Sequence, residues 1–141
     1  MVTKFGAELK VPVERFMTRE VVTVLEEISM REVVTFAGRY DCNGFPVVTR
    51  EGRLVGMITK GDLLRVVQAS FGNPDVWRDP VSRWMAHGLL ALRPQDTVET
   101  AISLMVGKGF RSVPVIDEGS RVVGIVSRGD LMNALEGGMA G

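Results

Sequence analysis

Two four-residue stretches place a hydroxyl and a carboxylate at the same spacing: Thr59-Lys60-Gly61-Asp62 and, 68 residues later, Ser127-Arg128-Gly129-Asp130. A hydroxyl followed three residues on by an acid marks a helix start. The hydroxyl accepts an N–H of the first turn and the acid reaches back to the capping residue. The same geometry can also hold a ligand. A helix N-terminus offers unpaired amides to an anion, and a carboxylate accepts hydrogen bonds from a ligand's hydroxyls. Both roles fit together when Thr59 or Ser127 caps the helix while Asp62 or Asp130 faces a ligand.

Other reactive residue types lack companions. His87 is the single histidine and has no acid or cysteine at metal-ligand spacing, so no metal is expected. Cys42 is the single cysteine, with no activating partner in sequence, and reads as an inert thiol. No nucleophile–base pair, nucleophile elbow, or phosphate loop of Walker or Rossmann type occurs, so an enzyme is not expected. Gly56 and Gly124 interrupt apolar strands, which points to a bulge or close packing, with close approach of a ligand as the alternative.

The elements that must position these residues are themselves duplicated. A shift of 68 aligns Val13 with Val81, Met17 with Met85, Pro46 with Pro114 and Gly56 with Gly124, without a gap. Two copies suggest paired half-domains and are too few for a solenoid. The β-branched run Val21-Val22-Thr23-Val24 opens the first copy as a strand, and Leu89-Leu90-Ala91-Leu92 is its counterpart. Apolar stripes at Met30, Val33, Val34, Ala37 and at Val98, Ala101, Ile102, Met105 predict a helix in each. Ser29 with Glu32 and Asp96 with Glu99 are read as their starts, and Gly44 and residues 107–109 as stops or turns. Strands at Pro46-Val47-Val48-Thr49 and Pro114-Val115-Ile116 then pair as hairpins with residues 54–59 and 122–127. A second helix follows, carrying Leu63, Leu64, Val66 and Val67 in one copy and Leu131, Met132 and Leu135 in the other. Each copy is therefore β-α-β-β-α. Residues 70–79 read as a linker, with Trp77 and Trp84 packing at the joint.

Composition narrows the function classes. Hydrophobic residues make up 45% of the 141, enough for one good core. Basic and acidic residues number 17 each, so no net field draws the chain to nucleic acid or an anionic membrane. A single cysteine excludes an intrachain disulfide. No apolar stretch has signal-peptide or membrane-span character, and a cytoplasmic protein is expected.

The pattern resembles a tandem pair of cystathionine-β-synthase (CBS) domains, a Bateman module. The resemblance rests on residues 13–18 and 81–85, on Gly44-Phe45-Pro46-Val47-Val48 and Ser112-Val113-Pro114-Val115-Ile116, and on the two hydroxyl-x-x-Asp endings. It implies an α+β fold, sandwich-like, of two β-α-β-β-α units about a pseudo-twofold axis. The segments are 1–12 (N-terminal), 13–69 (first domain), 70–80 (linker), 81–136 (second domain) and 137–141 (tail). It further implies a regulatory sensor that binds AMP, ADP, ATP or S-adenosylmethionine in clefts between the domains. Asp62 and Asp130 would then hold ribose, with Thr59 and Ser127 at phosphate or ribose. The base pocket would draw on Thr23, Val24, Phe45, Pro46, Ala91, Leu92, Val113 and Pro114, although each of these also suits the core. Two departures stand out. Glu26 occupies the place of Pro94, and Gly61 and Gly129 stand where ligand-binding members carry a basic residue, leaving Lys60, Arg128, Arg111 and His87 for phosphate. A homodimer and a target enzyme or transporter in trans are implied partners. A ligand-independent docking module is the alternative.

Overall fold

The computed structural model describes residues 5–87 and 90–140. The chain forms two compact units and passes between them after Val21 and before Leu90. One unit is contiguous; the other joins the N-terminal segment to everything from Leu90 onward. Each mixes helix and strand in an α+β arrangement.

The contiguous unit contains β1 (Val24–Leu25), α1 (Met30–Ala37), β2 (Gly44–Val48), β3 (Leu54–Thr59), α2 (Lys60–Ser70), a 3₁₀ turn (Pro74–Arg78) and α3 (Val81–Trp84). Its sheet runs β1-β2-β3, with β1 parallel and β3 antiparallel to β2. Every residue of β2 is buried, as expected for a central strand of continuous apolar sequence. Met30, Val33 and Ala37 of α1 and Leu63 and Val66 of α2 close over one face, with Val81 and Met85 in the same core. Trp77 and Trp84 pack against it.

The split unit repeats this plan. It contains 3₁₀ turns at Ala7–Lys10 and Val13–Arg15, then α4 (Val98–Lys108), β4 (Ser112–Ile116), β5 (Val122–Ser127) and α5 (Arg128–Ala140). Gly109 ends α4 in the left-handed region at φ 70°. Val98, Ala101, Met105, Leu131 and Ala134 form its helical core, together with Val13 and Met17 from the N-terminal segment.

Several elements differ from the sequence expectation. The first strand begins at Val24, and its counterpart shrinks to one parallel bridge, Leu92 with Val115; Leu89 lies outside the described residues. Thr97, not Asp96, caps α4, because the Asp96 carboxylate is taken by the Arg93 amide at 2.7 Å. Gly44 opens β2 and stops no helix. A Cβ there would lie 3.3 Å from the Ile58 carbonyl, a tight contact across the hairpin to β3. Val34, Leu64 and Met132, assigned to apolar faces, are exposed. The presumed linker includes the last residue of α2 and a 3₁₀ turn that Asn73 caps.

The deepest feature is reciprocal. Residues 13–18, which open the first repeat, pack on the hairpin of the second, and residues 81–86, which open the second, pack on the hairpin of the first. Thr18 exchanges backbone hydrogen bonds with Ile125 at 2.8 and 2.9 Å, and Ala86 with Met57 at 2.9 and 3.2 Å. Each lead-in segment thereby covers the outer edge of β5 or β3, which would otherwise expose unpaired amides and carbonyls. Val13 donates to Asp96 and Val81 to Ile28, so both segments are also fixed at their starts.

This docking explains Gly56 and Gly124. A Cβ on Gly56 would sit 2.5 Å from Met85 Sδ and 2.8 Å from the Ala86 carbonyl; on Gly124 it would sit 2.5 Å from Met17 Sδ. Close packing, not a ligand, requires these glycines. Gly56→Ala should cost about 1–3 kcal/mol in urea denaturation. Gly124→Ala should cost less, because only the flexible Met17 side chain must yield. A fragment of residues 22–89 should keep more native circular dichroism than one of residues 13–69, which lacks the segment that covers β3.

Candidate functional site

Both hydroxyl-x-x-Asp endings lie where a hairpin strand passes into a helix. The register sets Gly44 opposite Thr59 and Ser112 opposite Ser127. Residues 44–46 and 112–114 therefore lead away from the two polar ends along the neighbouring strand.

At the first ending the helix start carries a complete capping box. Thr59 Oγ1 accepts the Asp62 amide at 3.1 Å, and Asp62 Oδ2 accepts the Thr59 amide at 2.9 Å and the Thr59 hydroxyl at 3.0 Å. Asp62 Oδ1 is paired with Arg65 Nη2 at 2.5 Å. Arg65 Nη2 also donates to the Trp84 carbonyl at 3.4 Å, so the guanidinium spans from the carboxylate to the lead-in segment. The Asp62 side chain is 14% exposed and that of Arg65 61%. The carboxylate is thus sheltered under its own cation.

The second ending keeps the cap and changes the rest. Ser127 Oγ accepts the Asp130 amide at 3.1 Å, and Asp130 Oδ2 accepts the Ser127 amide at 2.8 Å. In place of an arginine, the Thr18 hydroxyl donates to Asp130, 3.2 Å from Oδ1 and 3.3 Å from Oδ2. Asn133 stands where the first repeat has Arg65, and Ala86 where Thr18 stands. Sequence reasoning missed both partners. An acid–base pair three apart on a helix was a readable signal for Arg65; nothing local marks Thr18, which lies 112 residues from Asp130.

The expected phosphate contacts are largely committed elsewhere. Lys60 Nζ donates to the Tyr40 carbonyl at 2.9 Å, and Arg128 Nε to the Phe110 carbonyl at 3.3 Å. Each cation thereby steadies the turn after α1 or α4 and sits against carbonyls that favour positive charge. His87 is exposed, with Nε2 3.2 Å from the Ser82 carbonyl. Arg111 is also exposed.

The proposed base-pocket residues divide by burial. Phe45 is fully buried, edge-on to Phe36 and Tyr40 with centroids 5.9 and 6.1 Å apart. Val24, Leu92 and Val113 are core residues, and Pro46 and Pro114 are buried in their strands. Thr23 is exposed and Ala91 half-buried, so these two can meet a ligand without rearrangement. Burial pushes the Cys42 thiol above its ordinary range, and the Lys60 charge opposes this only in part.

A separate shallow cleft of about 200 Å³ lies at the far end of β2, lined by Leu25, Glu26, Glu27, Val48, Thr49, Arg50 and Glu51. Glu27 is paired there with Arg50 at 2.7 Å. Glu26, which replaces the expected proline, contributes to this acidic wall and not to the aspartate ending.

The sequence profile described as the CBS domain matches residues 13–69 and 81–137. Protein MJ1225 of Methanocaldococcus jannaschii is 28% identical over 131 residues, which are 93% of this chain and 45% of that protein. This chain thus spans less than half of that relative. The CBS-pair protein CBSX2 of Arabidopsis thaliana superposes with a TM-score of 0.80 at 23% identity, over 93% of this chain and 98% of that one. CBSX2 has also been solved in complex with AMP. The cytosolic domain of the Mg²⁺ channel MgtE, solved in complex with ATP, superposes with a TM-score of 0.70 at 31% identity. The match covers 84% of this chain and 46% of that one.

The caps give a direct test of the helix starts. Thr59→Ala and Ser127→Ala should each lower stability by about 1 kcal/mol in chemical denaturation.

Proposed function

This chain belongs to the CBS domain family, and we propose that it is a regulatory sensor binding an adenosine-containing ligand and passing the occupancy to a partner protein. The observation that carries the reading is the pair of sheltered carboxylates, Asp62 and Asp130, each fixed by a helix cap. A carboxylate in a capping box uses only part of its acceptor capacity, and a ribose diol can take the remainder. The AMP complex of CBSX2 and the ATP complex of the MgtE domain support the ligand class. In this reading Asp62 and Asp130 accept ribose hydroxyls, Thr59 and Ser127 lie beside ribose or phosphate, and Thr23 and Ala91 flank the base.

In this reading the module regulates and does not catalyse, and it works in the cytoplasm. Among the described residues no helix is long and apolar enough to cross a membrane. Leu64 and Phe71 on or just after α2, at 69% and 81% exposure, and Met132 on α5, at 59%, support self-association or docking on a target. A ligand-independent docking module would use the same exposed side chains.

Isothermal titration with AMP, ADP, ATP and S-adenosylmethionine tests the reading. At least one should bind, and its 2′-deoxy analogue should bind more weakly. The double variant Asp62→Ala/Asp130→Ala should lose about 10- to 150-fold in affinity, the value of a hydrogen bond to a charged group. Binding unchanged in the double variant would refute the ribose assignment. The absence of any binding would leave the docking module.

A further inference from the structure

The two aspartates share one cap and differ in everything else that touches them. Asp62 Oδ1 is held by a guanidinium at 2.5 Å, whereas Asp130 is met by a neutral hydroxyl at 3.2 and 3.3 Å. The difference is written in the sequence, because Arg65 corresponds to Asn133 and Thr18 to Ala86. Asp62 Oδ2 already accepts the Thr59 amide and hydroxyl, so a ribose diol that approaches Asp62 must compete with the guanidinium's charge-assisted bond for Oδ1. At Asp130 it exchanges one hydroxyl for another, or adds to it, since a carboxylate has about four acceptor positions.

From this we propose that the two sites are unequal. The Asp130 site is the high-affinity one, and Arg65 acts as a tethered competitor that holds the Asp62 site at lower affinity. Arg65 is thus a specificity-determining residue that ranks the sites, without itself contacting the ligand. The proposal rests on the sensor reading and adds an order of occupancy to it. The exposure of Arg65, 61%, keeps its ion pair in the modest range of surface pairs. Its removal should therefore strengthen the Asp62 site by about two- to fivefold.

The chain offers a readout specific to one unit. Both of its tryptophans, Trp77 and Trp84, lie in the contiguous unit that carries Asp62, and Trp84 provides the carbonyl that Arg65 also binds. Calorimetry with AMP and ATP reports every site, while tryptophan fluorescence follows the unit with Asp62. In the full chain, Asp130→Asn should abolish the tighter calorimetric phase, and Asp62→Asn should leave it within about twofold. Arg65→Asn should shift the fluorescence transition to two- to fivefold lower ligand concentration, and Asn133→Arg should weaken the tighter phase by a similar factor. A tighter phase lost in Asp62→Asn would overturn the ranking and leave the sensor reading standing. Weaker binding in Arg65→Asn would do the same, and would make Arg65 a ligand contact. If the unaltered chain binds neither nucleotide, the ranking falls together with the parent reading for these ligands.

Discussion

Each hairpin in this protein ends in an edge strand that needs a partner, and the partner comes from the other repeat. The pairs Thr18–Ile125 and Ala86–Met57 each pin the middle of such an edge with two backbone hydrogen bonds. Met17 and Met85 then drop their side chains onto Gly124 and Gly56, the places on β5 and β3 where a Cβ would collide with them. Hydrogen bonding fixes the register of the contact and the missing Cβ fixes its depth. Val13 and Val81 complete the two cores through the same segments. Without this exchange each core would lose two of its buried side chains and each sheet would expose an edge.

The candidate sites inherit their geometry from that exchange. Asp130 belongs to the second repeat, yet the hydroxyl that touches it comes from Thr18, two backbone hydrogen bonds along the same covered edge. Asp62 is touched by Arg65, whose guanidinium also rests on the Trp84 carbonyl of the opposite lead-in segment. Each carboxylate therefore senses both its own helix and the segment that arrives from the other repeat. The surroundings diverge because the helix position three residues past the aspartate and the segment residue facing it changed together between repeats, Arg65 with Ala86 against Asn133 with Thr18.

Much of the fold was legible because its signals are local. Helix stripes, the hairpins and the capping boxes at Thr59 and Ser127 depend on residues a few positions apart. The first strands were overdrawn because β-branched residues at 21–23 satisfy a propensity pattern without pairing; only Val24 and Leu25 meet β2. Asp96 was mistaken for a cap because its neighbour Thr97 offers the same chemistry one residue later. The glycines were read correctly as packing positions, but what packs on them was hidden, since Met17 lies more than a hundred residues from Gly124. At the sites, the aspartates were legible and their partners were not. Phe45 and Val113 could not be separated from pocket residues by sequence, because full burial in a core and lining of an apolar slot select the same side chains.

The reciprocal lead-in segments also bear on how such a chain can be inherited. The duplication that the sequence displays and the bodies that the structure builds have different boundaries, since the chain changes unit after Val21 and before Leu90. A gene rearrangement that carried off one repeat at the repeat boundaries would deliver a hairpin without its covering segment and a covering segment without its hairpin. A transfer that keeps a hairpin with its covering segment must be cut at the unit boundaries, as in residues 22–89, and not at the repeat boundaries.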